Sequence, residues 1–433
     1  MPQRPSEWGV VAWGAGWFFF VLLSYSVVRP VRETMGAIGG TKQLQGLMLV
    51  TFAVMLLAVP AYSALVNRLA RRWLVRVVFH FFCLSLAGFS AGLAFGSEPV
   101  RVWTARVFFV WVNVYGLFAT SVFWSVLTDL FSSEQGKRLF GRIAAGGTIG
   151  AIAGSFLTSQ IATRISTAGL LLVPILTIQL GLWCAWRLEL RVANHPDFGH
   201  GQGANQKFQS GGLLEGITRV LASPYLASIC VFLFFVQASG TLLYFQQAEI
   251  VGTQIVNDQQ KTQLFAYIDF ATQTLTLLGQ ALLSGLILRR FGVGVALMVL
   301  PLVYFIAFAA LGQSQSLLVV AVCMVAARSC GYGITVPARE VLFTVVDRED
   351  RYKSKSFIDT VVLRGGDAIA GQTIGALHNF ANLAFSVINL GTLPLMALWM
   401  FAAFRLGRRQ KRRAEETSQK TGGEDEPDAT SPR

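Results

Sequence analysis

Charged residues set inside apolar runs carry the chemistry of this sequence. The densest group lies in Val336 to Gly371, which joins two long apolar segments. Arg339 and Glu340 precede a short, highly charged loop, Asp347 to Lys355, and Asp359, Arg364 and Asp367 follow it. A charge at the centre of a bilayer costs roughly 2.5–3.5 kcal/mol on insertion scales. Five such charges in adjacent helices therefore pair with one another or line a wet cavity. Two arrangements meet that demand: a solute pathway with charged walls, and an ion-pair lattice that joins two helices. A second group is Arg29, Arg32 and Glu33 around Pro30. Spacings of three and four put these side chains on one side of a helix, and a proline there frees a backbone carbonyl. As a helical turn the group is an anion site; as a loop it is merely solvated. Arg328 sits in mid-span with no acid beside it in sequence, which leaves Asp269 or Asp367 as its partner. Glu249 ends a polar stretch with Gln246 and Gln247, and with Asp269 and Asp359 it forms a set of acids for coupling or ion pairing.

The elements that must position these residues are membrane spans. The chain has 433 residues, 53% of them hydrophobic and only 14% charged, which is too apolar for a soluble protein of this length. One helical span needs about 20 apolar residues. Twelve such spans fit, near 8–34, 45–66, 77–95, 102–128, 143–163, 169–188, 225–249, 263–288, 293–312, 316–345, 356–377 and 382–404. The first lacks a cleavage site of small residues and reads as a retained span. The expected class is an all-α polytopic membrane protein with two pseudo-symmetric six-helix halves, residues 1–188 and 225–404. Between them lies a linker, 189–224, rich in Gly, Asn and Gln, whose end GLLEGITRVLAS has the spacing of a surface helix. The segment 405–433 begins basic, ends acidic and reads as a disordered tail.

Lysine and arginine counting orients the chain. Of the 36, 26 fall on the N-terminal side of the membrane and seven on the other, with Arg328, Arg339 and Arg364 inside it. Both termini are therefore expected in the cytoplasm, and the +13 net charge needs no nucleic acid partner.

Two internal repeats relate the halves. SALVNRLARR (Ser63–Arg72) and GLILRRFGVG (Gly285–Gly294) share a small-residue and arginine frame that pairs Arg68 with Arg290 and Ala70 with Gly292. Residues 138–154 match 355–371 at a constant offset of 217, which pairs Arg138 with Lys355 and Ala151–Gly154 with Ala368–Gly371. Both fall at equivalent inner loops, where Arg68, Arg71, Arg72, Arg290 and Lys355 are candidates for gating. Gly146, Gly150 and Gly154 recur every four residues, the spacing of close helix packing. The five cysteines and four histidines are scattered without metal-ligand spacing, and no phosphate-binding loop or hydrolase motif is present. The expectation is no enzyme activity, no cofactor, no metal and no obligate protein partner.

The frame SALVNRLARR resembles the loop signature of the major facilitator superfamily, with Ser63, Asn67 and Ala70 in place of its Gly, Asp and second Gly. YSVVRPVRETMG (Tyr25–Gly36), VFWSVLTDLFSSEQGKRLFG (Val122–Gly141) and VPAREVLFTVVDREDRYKSKSFID resemble the ATP:ADP antiporter family in its wider bacterial branch. The basic pair and acid of that family's first span match Arg29, Arg32 and Glu33, and the basic–acidic pair of its tenth span matches Arg339 and Glu340. Nucleotide-transporting members favour Lys where this chain has Arg32 and Arg339. The resemblance implies a secondary transporter of the bacterial inner membrane that moves a small anionic solute, ATP, ADP or another nucleotide, by exchange. Arg29, Arg32, Glu33, Arg328, Arg339, Glu340, Arg364 and Asp367 are then the cavity candidates. A proton-coupled exporter or a lipid flippase on the same fold is the alternative.

Overall fold

In hydrocarbon, backbone amides find partners only within the chain, so long apolar runs become helices. The computed structural model describes residues 5–193, 213–347, 350, 354, 355 and 357–424. These are all helix and connecting turn, with no strand among them. Ten stretches of the described residues are long and apolar enough to cross a membrane.

The first compact unit takes Met1–Gln209 and Phe245–Thr274. It holds α1 (Pro5–Ile38), α2 (Gly40–Arg68), α3 (Arg71–Phe95), α4 (Glu98–Leu130), α5 (Ser133–Ile161), the short α6 (Thr167–Leu170) and α7 (Leu172–Ala193). Local sequence sets several boundaries. Gly96 and Ser97 are extended, and Pro99 sits in the first turn of α4, where a missing amide costs nothing. Ser132 and Gln135 close a reciprocal capping box at the start of α5. The core is aromatic: Trp17, Phe79, Phe82, Phe108, Tyr115 and Phe123 are almost wholly buried, and the Ser24 and Tyr115 hydroxyls share a hydrogen bond.

α1 and α5 pack backbone to backbone. A β-carbon on Gly146, Gly150 or Gly154 would lie 2.5, 2.1 and 2.5 Å from the carbonyl oxygens of Ala15, Phe19 and Leu23. Both rows advance four residues at a time, so they form one continuous seam. Where lipid removes the hydrophobic drive between helices, such close approach supplies the attraction.

The second unit takes Ser210–Tyr244 and Leu275–Arg433. A helix, α8, covers Leu213–Ala222, and α9 covers Pro224–Gln254. α10 (Asp258–Leu278), which belongs to the first unit as far as Thr274, passes through wide π-turns at Gly279–Ser284 into α11 (Gly285–Gln313). The stretch Asp258–Gln313 is 56 residues, about twice what one crossing needs. It breaks at Gly292, whose φ of 79° is open to glycine alone without strain. Its repeat partner Ala70 also marks a helix break, but at φ −60° and ψ 141°, where alanine is unstrained. α12 (Leu317–Cys330) runs through π-turns at Gly331–Thr335 into α13 (Val336–Leu342). The expected span 356–377 is met by π-turns at Ile358–Val362, α14 (Leu363–Gly375) and π-turns at Ala376–Phe380.

The last helix, α15, spans Phe385–Glu424. Residues 405–424 of the expected tail continue this helix. The sequence RLGRRQKRRAEE is built of strong helix formers apart from one glycine, and Lys411 and Glu415 pair at i,i+4. The segment continues a helix already nucleated in the span. Residues 425–433 lie outside the described residues, as do 194–212 of the expected linker.

The α1–α5 seam yields a direct test. Gly150→Ala should destabilise the purified protein by about 1–3 kcal/mol, the usual range for overpacking. Gly141→Ala has open space around its β-carbon and should be neutral or slightly stabilising. Thermal unfolding in detergent measures both, and equal effects would mean the seam is not tight.

Candidate functional site

The described residues bring the candidates together in three clusters. The first lies on α1 in the first unit. Pro30 does not break α1, and its carbonyl accepts a hydrogen bond from the Thr34 hydroxyl at 3.0 Å. Arg29, Arg32 and Glu33 therefore belong to a helical turn and not to a loop. The Glu33 carboxylate is 1% exposed and lies 2.6 Å from the Arg32 guanidinium and 3.9 Å from that of Arg29. Arg29 also reaches Asp269 of α10 at 3.6 Å. Arg32 donates to the Asn113 side-chain oxygen at 3.1 Å and sits over the Phe109 ring, 5.5 Å from its centre. Thr34 and Thr262 share a hydroxyl hydrogen bond of 2.8 Å.

Two cations and two carboxylates in this space neutralise one another. Arg32 keeps its planar fork turned to oxygen acceptors, the geometry that also suits carboxylate and phosphate. On α9, Gln247 is 1% exposed, and both its amide atoms lack a hydrogen-bond partner. Glu249 forms no ion pair among the described residues.

The second cluster is in the second unit. The Asp367 carboxylate accepts hydrogen bonds from Gln237 at 3.0 Å and Thr241 at 3.1 Å, one turn apart on α9. Arg328 and Asp367 both act electrostatically on the buried Tyr304 hydroxyl. Of the two acids offered to Arg328 by the sequence, Asp269 also pairs with Arg29. Arg364, half-buried, forms no ion pair among the described residues. At the offset of 217, Asp367 stands where Gly150 stands in the first repeat. The seam position that meets the Phe19 backbone in one unit is a hydrogen-bonded carboxylate in the other.

The third cluster is an ion-pair lattice. Arg339 reaches Glu340 at 3.2 Å and Asp359 at 3.4 Å, and Lys355 reaches Glu340 at 2.6 Å while lying over the Phe343 ring. Glu340 and Asp359 are 45% and 42% exposed, against 17% for Arg339, so the acids are wet and the guanidinium is sheltered. Lys355 thus joins the acids rather than standing alone at a loop. Of the other loop candidates, Arg68, Arg72 and Arg290 are exposed, and the side chain of Arg71 lies outside the described residues.

Sequence reasoning missed Asn113, Phe109, Gln237, Thr241 and Tyr304. Gln237 and Thr241 had a signal, two polar side chains at i,i+4 in an apolar run. Phe109 and Tyr304 had none. No group of three or more His, Cys, Asp or Glu among the described residues could hold a metal.

The Major Facilitator Superfamily model matches residues 13–352. ADP,ATP carrier protein 1 of Chlamydia muridarum is 19% identical over 90% of this chain and 86% of its own length. The structure of a bacterial homologue of the lysosomal transporter Spinster, inward-facing and unoccupied, superposes with a TM-score of 0.58 at 17% identity, covering 94% of this chain and 99% of that one. The nucleoside transporter NupG gives 0.57 at 13% identity, over 93% and 99%. These structural likenesses establish the fold.

The first cluster can be tested as a unit. Glu33→Ala leaves two sheltered guanidiniums short of a carboxylate, and breaking such a pair costs about 3–5 kcal/mol. Glu33→Gln should cost less. A double-mutant cycle with Arg32→Gln, read by thermal unfolding, should show strong coupling; additive effects would mean that the 2.6 Å pair contributes nothing.

Proposed function

The chain belongs to the Major Facilitator Superfamily and is a membrane transporter of that type, and on that premise we propose that its cargo is an anionic solute, a nucleotide or nucleotide-like metabolite, moved by exchange through alternating access. In this reading the chain crosses the membrane twelve times, six and six. Asp258–Gln313 counts as two crossings and 358–380 as one. Both termini face the cytoplasm of a bacterial inner membrane, in keeping with the lysine and arginine distribution. The chain does no covalent chemistry.

The observation that carries the substrate class is the Arg29–Arg32–Glu33–Asp269 cluster. Two sheltered guanidiniums a turn apart match the charge of a phosphate chain. Their present acceptors, Glu33, Asn113 and Asp269, are groups that an entering phosphate would replace. Likeness to an ADP,ATP carrier over 90% of the chain supports the same class. Arg328, Arg364 and Asp367 are the corresponding groups of the second unit, and the Arg339–Glu340–Asp359–Lys355 lattice holds the segment that follows α12. The lattice and the loop arginines Arg68, Arg72 and Arg290 set rates of conformational exchange and do not touch the solute.

A second reading, a proton-coupled exporter or lipid flippase, is favoured by the near-neutral charge balance of the first cluster, since Glu33 and Asp269 could then carry protons. Counterflow in proteoliposomes separates the two. Nucleotide exchange expects labelled ADP uptake driven by internal unlabelled nucleotide and indifferent to a pH gradient. Uptake or export that follows only the pH gradient would displace the exchange reading.

Arg32→Lys supplies charge without the fork. It should reduce nucleotide affinity about tenfold with normal expression, because an ammonium cannot make the paired contacts of a guanidinium. If Arg32→Lys transports like the parent, the anion-site assignment fails. A reporter fused after Gly203 should read as cytoplasmic, and a periplasmic reading would reverse the orientation.

A further inference from the structure

α15 does not end with its apolar span. It carries Arg405, Arg408, Arg409, Lys411, Arg412 and Arg413 over its next two and a half turns, and all six are exposed. This part of the helix is fixed to the second unit on one face. Leu406 is 2% and Gln410 7% exposed. Gly407 lies so close to Gly294 that a β-carbon on it would fall 2.1 Å from the Gly294 α-carbon. Arg409 donates to the Ser228 hydroxyl at 2.9 Å, and the Arg413 guanidinium covers the Tyr225 ring at 4.6 Å. Tyr225 in turn donates to the Leu342 carbonyl at 2.8 Å. Two of the six arginine and lysine side chains are thus spent on holding the helix, and Lys411 faces Glu415 at 4.0 Å.

The other three, Arg405, Arg408 and Arg412, form a stripe. At 100° per residue they fall within about 60° of one another, on the side opposite Leu406, Gly407 and Gln410. Arg405 lies over Phe401, 5.7 Å from the ring centre, and Arg408 over Phe404 at 5.9 Å. Those rings are 56% and 40% exposed and belong to the outward face of the span. Each of these rings thus carries a guanidinium one turn further along the helix, past the end of the apolar run. No carboxylate among the described residues is paired with Arg405, Arg408 or Arg412.

We propose that the Arg405–Arg408–Arg412 stripe is a docking surface for anionic phospholipid headgroups of the bilayer in which the protein sits. Guanidiniums bind phosphodiester oxygens in pairs, and juxtamembrane basic clusters attract anionic leaflets. What distinguishes this cluster is its rigidity. The stripe is presented on a helix clamped through Gly294, Ser228 and Tyr225, so the three forks keep one spacing along the membrane plane. The lipid recognised carries net negative charge, because the stripe offers donors and no acceptor for an ammonium group.

The test uses the full chain, purified in detergent and examined by native mass spectrometry with phosphatidylglycerol and phosphatidylcholine at equal concentrations. The parent should retain phosphatidylglycerol over phosphatidylcholine, less so as salt rises. The triple variant R405Q/R408Q/R412Q leaves the Ser228, Tyr225 and Gly294 contacts in place and should unfold at the parental temperature. Its preference for phosphatidylglycerol should fall by at least about tenfold, in line with the attraction each basic residue contributes near an anionic leaflet. R405K/R408K/R412K should keep most of the preference. Three outcomes would overturn the proposal: equal retention of the two lipids by the parent, an unchanged preference in the glutamine variant, or displacement of the lipid by millimolar inorganic phosphate.

Discussion

A guanidinium within an apolar helix bundle must give its charge to a carboxylate, to a polar side chain or to a ligand. Much of this molecule follows from that constraint. Arg29 and Arg32 lie on a helix whose neighbours are almost wholly aromatic and aliphatic, and they persist there because Glu33, Asp269 and Asn113 close around them. The geometry asks for helix and not loop at Pro30, since only a helical turn brings residues 29 and 33 to the same side. Pro30 leaves the Ser26 carbonyl without its amide partner, and one turn on the Thr34 hydroxyl adds a second donor to the Pro30 carbonyl. The chain thus spends local devices, one threonine and one asparagine, to keep charges where hydrocarbon would exclude them. Breaking the pair costs more than forming it gains, and such a cluster is retained when its charges have a further use.

Part of this was legible in the sequence. Length and hydropathy are additive along the chain, so the run of apolar helices could be read residue by residue. Gly146, Gly150 and Gly154 announced a close packing face by their spacing, and the structure supplies the partners, the carbonyls of Ala15, Phe19 and Leu23. Partners themselves were not legible. Arg32 meets Asn113 across 81 positions and Asp367 meets Gln237 across 130. No periodicity encodes which helix faces which. The helical run beyond residue 404 is illegible for a different reason. Charge and composition suggest disorder when a segment must fold alone, but residues 405–424 extend a helix that the membrane span has already nucleated.

The repeats show how one frame accommodates two backbones. Ala70 and Gly292 occupy the same place in related loops, and both end a helix. Alanine serves where the chain leaves in the extended region, and glycine is needed where φ turns positive. Sequence similarity at the loops therefore reports where the helix stops, while the residue type reports how it stops.

The second repeat carries the idea further. Gly150 and Asp367 are equivalent at the offset of 217, yet one sits against bare backbone and the other accepts hydrogen bonds from Gln237 and Thr241. A backbone seam is held by shape, and nothing small can enter it without opening a void. A carboxylate held by two neutral side chains is held by partners that can be exchanged one at a time. Wide π-turns at Gly279–Ser284 and Gly331–Thr335 add to this. They bring Gly279 and Gly333 together, and Gln280 donates to the Tyr332 carbonyl across them at 3.1 Å. Such turns let helices re-register without breaking their ladders. The two repeat segments therefore differ in how they are held. The first is close and fixed by glycine. In the second, a hydrogen-bonded carboxylate stands at the position of Gly150.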